Sequence, residues 1–289
     1  MSKVIKFYLN ASKWLPTEQQ WTYLSSCISR IDCEYVHNFK FKKDCKIRLL
    51  SQLLIRYSIK LLTNMSWNDI NIDRSPNGKP FYVNKEANKS KLDFNISHSN
   101  DYVVICAIRS FDIDYRIGVD VMKIEEDDLV KQYEQSNRIM RKVFTQQEKG
   151  FVDSKPDIKD KIKAFNRLWA LKESYVKAIG TGIRVELNTI EFLIQNDFIS
   201  KNSEIINNTE LQVDSKKRID CKFYEQILDD LYLTSICLVS ENTTNELNEN
   251  IYLKSQVFKE LEVDELIKTA TQSNDSNNCN YWSKYEKKD

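Results

Sequence analysis

Apolar residues recur at three- and four-residue steps over two long stretches of the chain. Ile47, Leu50, Leu54, Tyr57 and Leu61 line one side of residues 40–62, a stretch without Pro or Gly, and Ile162, Phe165, Trp169, Val176 and Ile179 do the same over residues 159–179. This period predicts two amphipathic helices, and Gly180 offers a stop for the second. Between them the period changes to two. Phe94, Ile96 and His98 alternate with Asp93, Asn95 and Ser97, a polar turn (Ser99-Asn100-Asp101) follows, and residues 102–108 read as a buried partner strand. Ile117, Val119 and Val121 then alternate with Gly118, Asp120 and Met122, while residues 189–194 and 231–239 favour strand. One long helix with a few antiparallel strands, occurring twice, predicts an α+β protein of two similar halves, residues 1–115 and 116–240. The likeness is one of pattern, since no repeat is visible in the residues themselves. From residue 241 the chain turns polar (ENTTNELNEN, then TQSNDSNNCN). That composition buries no core and predicts a largely disordered tail, residues 241–289, with a short helix near residues 257–266.

Composition narrows the class. Across 289 residues, 43 Lys and Arg nearly balance 42 Asp and Glu, which argues against a nucleic-acid-binding surface but leaves room for a local basic pocket. The seven Cys are scattered, no CxxC pair occurs, and only two His exist to complete a zinc site. Structural zinc and a disulfide framework are poor readings, and reduced thiols in the cytosol fit better. The start, MSKVIKFYLN, has no apolar core of a secretory signal. The longest apolar run, residues 102–108, falls far short of the ~20 residues a membrane span needs.

Four segments could carry chemistry. On the second helix Trp169, Glu173 and Lys177 lie four apart along one face; a surface ion pair beside a core Trp is the plain reading. On the strand Ile117–Met122, Asp120 shares its face with Met122, and an Asp on an apolar face needs a cation or metal as partner. FNISHS (Phe94–Ser99) holds His98, which is either an incidental imidazole or part of a site; His37 reads as incidental. DRSPNGKPF (Asp73–Phe81) is a turn at Pro76-Asn77-Gly78 flanked by Arg74 and Lys79. It is either a solvated basic hairpin or a loop presenting cations to a phosphate, and it is not a Walker A loop.

The order of these segments carries more than any one of them. Basic turn, N-I-S-H strand, G-V-D-V strand and W-A-L-K-E-S-Y-V-K-A-I-G helix together resemble the 4′-phosphopantetheinyl transferase superfamily, over residues 39–240. The likeness is nearest to the animal type associated with lysine degradation, related to the bacterial surfactin-synthetase-activating enzymes. The resemblance implies a pseudo-dimer binding coenzyme A between its halves and passing phosphopantetheine to a serine of a carrier protein. It implies Asp120 and Glu173 as ligands of a magnesium ion on the CoA pyrophosphate, Lys177 as a cation on that pyrophosphate, and Glu173 as the base for the serine. It implies Lys43, Arg74, Lys79 and His98 around the 3′-phosphate and adenine. Ser75, Pro76, Asn77 and Gly78, with Asn95, Ile96 and Ser97, would line the pocket largely through backbone. The partners implied are acyl carrier, peptidyl carrier or aminoadipate-processing carrier domains, met by a monomer in the cytosol, with no nucleic acid and no membrane.

Two positions depart from the pattern. Met122 stands where bacterial relatives place a Glu, which leaves a third protein ligand unidentified. Lys43 stands where relatives have Arg, which keeps the charge and loses bidentate geometry. A magnesium-dependent hydrolase of CoA without a protein acceptor, or an inactive CoA-binding scaffold, would share most of these residues.

Overall fold

A computed structural model describes residues 2–83, 90–124, 128–182, 185–195, 205–241, 253, 256–274 and 282–289. The first half holds β1 (Lys3–Asn10), α1 (Glu18–Ser26), α2 (Arg30–His37), α3 (Lys42–Thr63), the hairpin β2 (Ile72–Arg74) and β3 (Pro80–Tyr82), then β4 (Lys91–Ser99) and β5 (Tyr102–Ser110). The second half holds β6 (Tyr115–Lys123), α4 (Leu129–Val143), α5 (Gln146–Asp153), α6 (Ile158–Ile179), β7 (Ile190–Leu193), β8 (Glu210–Val213), β9 (Lys216–Lys217), β10 (Cys221–Leu228) and β11 (Tyr232–Ser240). After it come β12 (Lys259–Glu260), α7 (Val263–Thr269) and α8 (Trp282–Glu286).

The two long helices are the predicted ones. Each is 22 residues long and each ends in a left-handed cap, Asn64 (φ 60°) after α3 and Gly180 (φ 70°) after α6. Such a cap closes the last turn onto the helix's orphan carbonyls. α3 lies on a sheet of order β12-β1-β5-β4, and α6 on a sheet of order β10-β11-β6. The apolar stripe of α3 differs from the expected one at its end: Leu62 is buried (3% exposed) while Leu61 faces solvent (43%).

The strand at residues 102–108 is apolar on both faces because both are covered. Val103, Ile105 and Ala107 pack into the core under α3. Val104, Cys106 and Ile108 meet Ile117, Val119, Val121, Ile236 and Leu238 in a second core between the two halves. A third core lies under α6, around Phe165, Leu168, Leu171 and Phe223. The six described cysteines are buried and form no disulfide. His37 is buried edge-on against Trp21, and burial lowers its pKa to about 4. Among the described residues no helix is long and apolar enough to cross a membrane.

The halves join where β4 meets β6, and the joint uses side chains in place of a backbone ladder. Ile117 N donates to Asp93 Oδ2 (2.7 Å), Val119 N to Asn95 Oδ1 (2.9 Å) and Lys123 N to Ser99 Oγ (3.3 Å). The alternation of β4 thus delivers a polar atom to the amides of residues 117, 119 and 123 of β6. On the other side of β6, α6 approaches so closely that only glycine fits at position 118. A Cβ there would lie 1.9 Å from Ser174 O and 2.5 Å from Ala178 N.

α6 is also held by a buried ion pair. Lys172 Nζ lies 2.9 Å from Glu148 Oε2, with both side chains fully buried, and donates to Leu187 O and Ile190 O. Glu148 closes the capping box of α5 with Thr145 and accepts from Phe192 N (3.0 Å). One carboxylate thereby ties α5, α6 and β7 together.

The tail corrects the expectation of disorder wherever it is described. β12 pairs parallel to β1, with Phe7 opposite Lys259. Phe258, Leu261, Val263, Leu266, Ala270 and Tyr285 are all buried, and Tyr285 stacks on Trp21 at 3.8 Å. The short helix expected near residues 257–266 forms over Val263–Thr269. Mean composition hid this because the few apolar residues are spread among polar ones. Leu261, Val263, Leu266, Ala270 and Tyr285 bury against the core under α3, and Phe258 joins the core between the halves, so the tail needs no core of its own.

Two outcomes test this packing. Gly118→Ala should cost about 3 kcal/mol or more, because backbone on both sides of the new methyl cannot give way, read as a fall in urea midpoint. Lys172→Met should cost about 3–5 kcal/mol by leaving a buried carboxylate without its cation, and adding Glu148→Gln should recover part of that loss in the same assay.

Candidate functional site

α6 runs antiparallel to β6. Asn166 Nδ2 donates to Lys123 O (2.8 Å) near one end, and Arg116 Nη1 reaches Ile179 O (3.5 Å) at the other. This direction sets the middle of the strand against the last turns of the helix and brings Asp120, Glu173 and Lys177 together. Lys177 Nζ donates to Asp120 Oδ1 (2.6 Å), Ser97 Oγ (2.9 Å) and Val119 O (3.2 Å). Ser97 Oγ donates to the same Asp120 oxygen (2.9 Å). The Glu173–Lys177 spacing is therefore not a solvated surface pair, because Lys177 turns inward to the strand.

Asp120 has one oxygen committed and one free. Its side chain is 8% exposed, and Oδ2 is buried with no hydrogen-bond partner. A buried acceptor left unpaired is costly, and it marks a place for a proton donor or a cation. Beside it, Glu173 is partly buried, and its pKa is raised first by burial and then by the charge of Asp120, with Lys177 opposing. A carboxylate raised by burial and by the charge of a second one shares with it a site built to hold positive charge. Met122 is partly buried on the same strand and offers no oxygen. Among the described residues no group of three or more His, Cys, Asp or Glu gathers around one point. Two hard oxygen donors, one of them orphaned, suit a magnesium ion that takes its remaining ligands from phosphate and water.

The basic turn crosses from the first half to the second. Gly78, at φ 81°, closes the β2–β3 hairpin. Asn77 Nδ2 donates to Gly180 O (3.0 Å), and Lys79 Nζ reaches Ile117 O (3.2 Å) and Asp93 Oδ2 (3.4 Å). An open cleft of about 380 Å³ lies along this bridge, lined by Ser75, Asn77 and Lys79 from the turn and by Tyr115, Arg116 and Gly180 from the second half. Asp120 and Glu173 do not line this cleft and lie further along β6 and α6 from its Arg116–Gly180 end.

On the other side of β4 lie α3 and His98. Burial lowers the His98 pKa, as do the charges of Lys177 and Arg48, while Asp44 and Asp120 pull it up. The first turns of α3 thus face the histidine. Arg74 Nη2 sits 3.2 Å from Asp32 Oδ1. With its amide oriented by its neighbours, Gln52 accepts from Arg48 (3.1 Å) and Arg74 (3.2 Å). Lys43 is exposed at the start of α3, 3.5 Å from Asp101. Pro76 is exposed in the turn and Ile96 packs against the core under α3.

Asn95 and Ser97 turn their side chains toward β6. Both side chains are buried, Asn95 on the Val119 amide and Ser97 on Asp120. Sequence reasoning also passed over Arg48, Gln52, Lys172 and Glu148. The last had a readable signal, since Thr145-Gln-Gln-Glu148 is a capping box in the residues alone. Arg48 had none, because one more Arg on a charged helix face looks solvated.

Comparison with known proteins follows this geometry. The N-terminal 4′-phosphopantetheinyl transferase model matches residues 12–110, and the 4′-phosphopantetheinyl transferase superfamily model matches residues 116–233. The chain is 26% identical to the L-aminoadipate-semialdehyde dehydrogenase-phosphopantetheinyl transferase of Xenopus laevis, over 98% of this chain and 92% of the relative. It is 29% identical to the protein of the same name from Homo sapiens, over 81% of this chain and 74% of the relative. It is also 29% identical to the 4′-phosphopantetheinyl transferase gsp of Aneurinibacillus migulanus, over 78% and 82%. With one family model on each half and a helix and sheet behind each, the chain belongs to the 4′-phosphopantetheinyl transferase superfamily and is an enzyme that transfers phosphopantetheine to carrier proteins.

Proposed function

We propose that this enzyme takes phosphopantetheine from coenzyme A in a magnesium-dependent reaction, with Asp120 and Glu173 holding the ion and Glu173 accepting the proton of the carrier serine. The observation that carries the reading is the buried, unpartnered Oδ2 of Asp120 beside a Glu173 whose pKa its charge helps to raise. When bound, magnesium would neutralise charge on the pyrophosphate.

The chain's own residues do the remainder. Lys177, already on Asp120 Oδ1, holds that carboxylate in place and offers a cation to the pyrophosphate. Ser97 fixes the same oxygen, so Oδ2 keeps its direction. Lys43, Arg74, Lys79 and His98 take the 3′-phosphate and adenine end of the donor, and the turn Ser75–Gly78 borders its path. The serine oxygen attacks the β-phosphorus, the bond from that phosphorus to the bridging oxygen breaks, and 3′,5′-ADP leaves. The serine proton passes to Glu173, directly or through water; a carboxylate with a raised pKa is the better base near neutrality. The acceptor is a small carrier domain of the acyl, peptidyl or aminoadipate-processing kind, the last suggested by the names of the animal relatives.

Intact mass of an apo carrier domain, mixed with enzyme, CoA and Mg²⁺, tests the reaction. A gain of one phosphopantetheine that EDTA abolishes supports it, and 3′,5′-ADP released without a change in carrier mass supports hydrolysis instead.

Glu173→Gln should lower transfer by about 10²–10⁴-fold, the range for loss of a general base. The same change should raise stability at neutral pH. Because the folded-state pKa lies above the ordinary 4.5, the folded chain binds more protons than the unfolded one between those two values. Its stability is therefore greatest on the acid side and is lost as pH rises through the folded pKa. Gln carries no such penalty, so the metal-free variant should melt higher than the parent at pH 7, with the gap closing on acidification. Equal melting temperatures at pH 7 would contradict this account of the site.

A further inference from the structure

The corner between α2 and α3 finishes its own helices only in part: Asn38 N donates to Tyr35 O and Cys45 Sγ to Phe39 O. A helix end leaves carbonyls unpaired and a helix start leaves amides unpaired. α2 ends at His37 and α3 begins at Lys42 behind Phe41, whose side chain cannot cap it. The tail supplies what is missing. Lys288 Nζ donates to His37 O (3.1 Å) and to Phe39 O, and Asp289 O accepts from Lys42 N (2.9 Å). These contacts are anchored one turn earlier, where Tyr285 is buried on Trp21 and against Trp282.

This corner aims the first turns of α3. Lys43 leaves it one residue after the amide that Asp289 holds, and Asp44 and Arg48 follow on the side that faces His98. Lys288 itself touches none of these groups; its ammonium bridges two carbonyls four and six residues before Lys43. A shift of this corner would move Lys43 relative to β4 while leaving Asp120, Glu173 and Lys177 on the other half untouched.

We propose that Lys288 is a positioning residue for the nucleotide end of coenzyme A, setting the α2–α3 corner so that Lys43 meets the 3′-phosphate. This rests on the reading of Lys43 given above. The consequence is specific: loss of Lys288 weakens recognition of the 3′-phosphate and spares the transfer step.

The test compares CoA with 3′-dephospho-CoA as donors for the full chain, with saturating carrier and Mg²⁺. Lys288→Met should raise the KM for CoA about tenfold, equivalent to one charge-assisted contact, with kcat near that of the parent and the KM for 3′-dephospho-CoA unchanged. Lys288→Arg should restore the parent value. If Lys288→Met does not fold, Lys288→Gln, which shortens the reach and stays polar, carries the same comparison. Lys43→Ala serves as the reference and should abolish the preference for CoA. A Lys43→Ala enzyme that still prefers CoA overturns the reading of Lys43 and the proposal with it. A Lys43→Ala enzyme without preference, beside a Lys288 variant that affects both donors equally or neither, overturns the role of Lys288 alone.

Discussion

Two unpaired strand edges face each other in the middle of this protein, and the polar side chains of one satisfy the backbone of the other. An exposed edge is a liability in any sheet. Here Asp93, Asn95 and Ser99 of β4 accept from the amides of Ile117, Val119 and Lys123 and so cover the edge of β6. The same arrangement fixes the register of β6 to within one residue. A slip by one would turn Asp120 away from α6 and put Val119 or Val121 in its place. Everything chemical in the second half depends on this joint.

Within that frame, charge is distributed unevenly on purpose. Asp120 spends one oxygen on Lys177 and Ser97, which keeps it oriented, and holds the other in reserve. Glu173 has no such support and is raised by burial and by its neighbour. Two carboxylates of different character, one tied and one poised, arise from residues on different elements. The closeness of α6 that makes this possible depends on the missing side chain at Gly118. The motif's glycine and its aspartate are thus parts of one contact.

Much of this could be read from the residues. The long helices followed from their 3.6-residue period, and Gly180 from its place at the end of one. The strands around Asn95 and Asp120 followed from alternation. What could not be read was the direction of polar side chains in the site. The side chains of Asn95 and Ser97 are spent on the Val119 amide and on Asp120 of β6. Lys172 sits next to Glu173 in sequence, but one step along a helix turns it by about 100°, into the core and toward Glu148. Leu61 and Leu62 illustrate the same sensitivity, since both satisfy an apolar stripe within a residue and only packing chooses. The tail was misjudged for a different reason. Window composition asks whether a segment can build a core, whereas this one completes a core that others have built.

The pairing of β12 with β1 has a consequence for the order in which the molecule can assemble. Phe7 meets Lys259, so the sheet that carries β4 lacks its outermost strand until residue 259 has left the ribosome. Contacts this distant in sequence form late and slowly. A nascent chain already in possession of Asp120 and Glu173 would still carry an open sheet edge and an uncovered apolar groove on its first half. During that interval it has reason to be guarded by a chaperone.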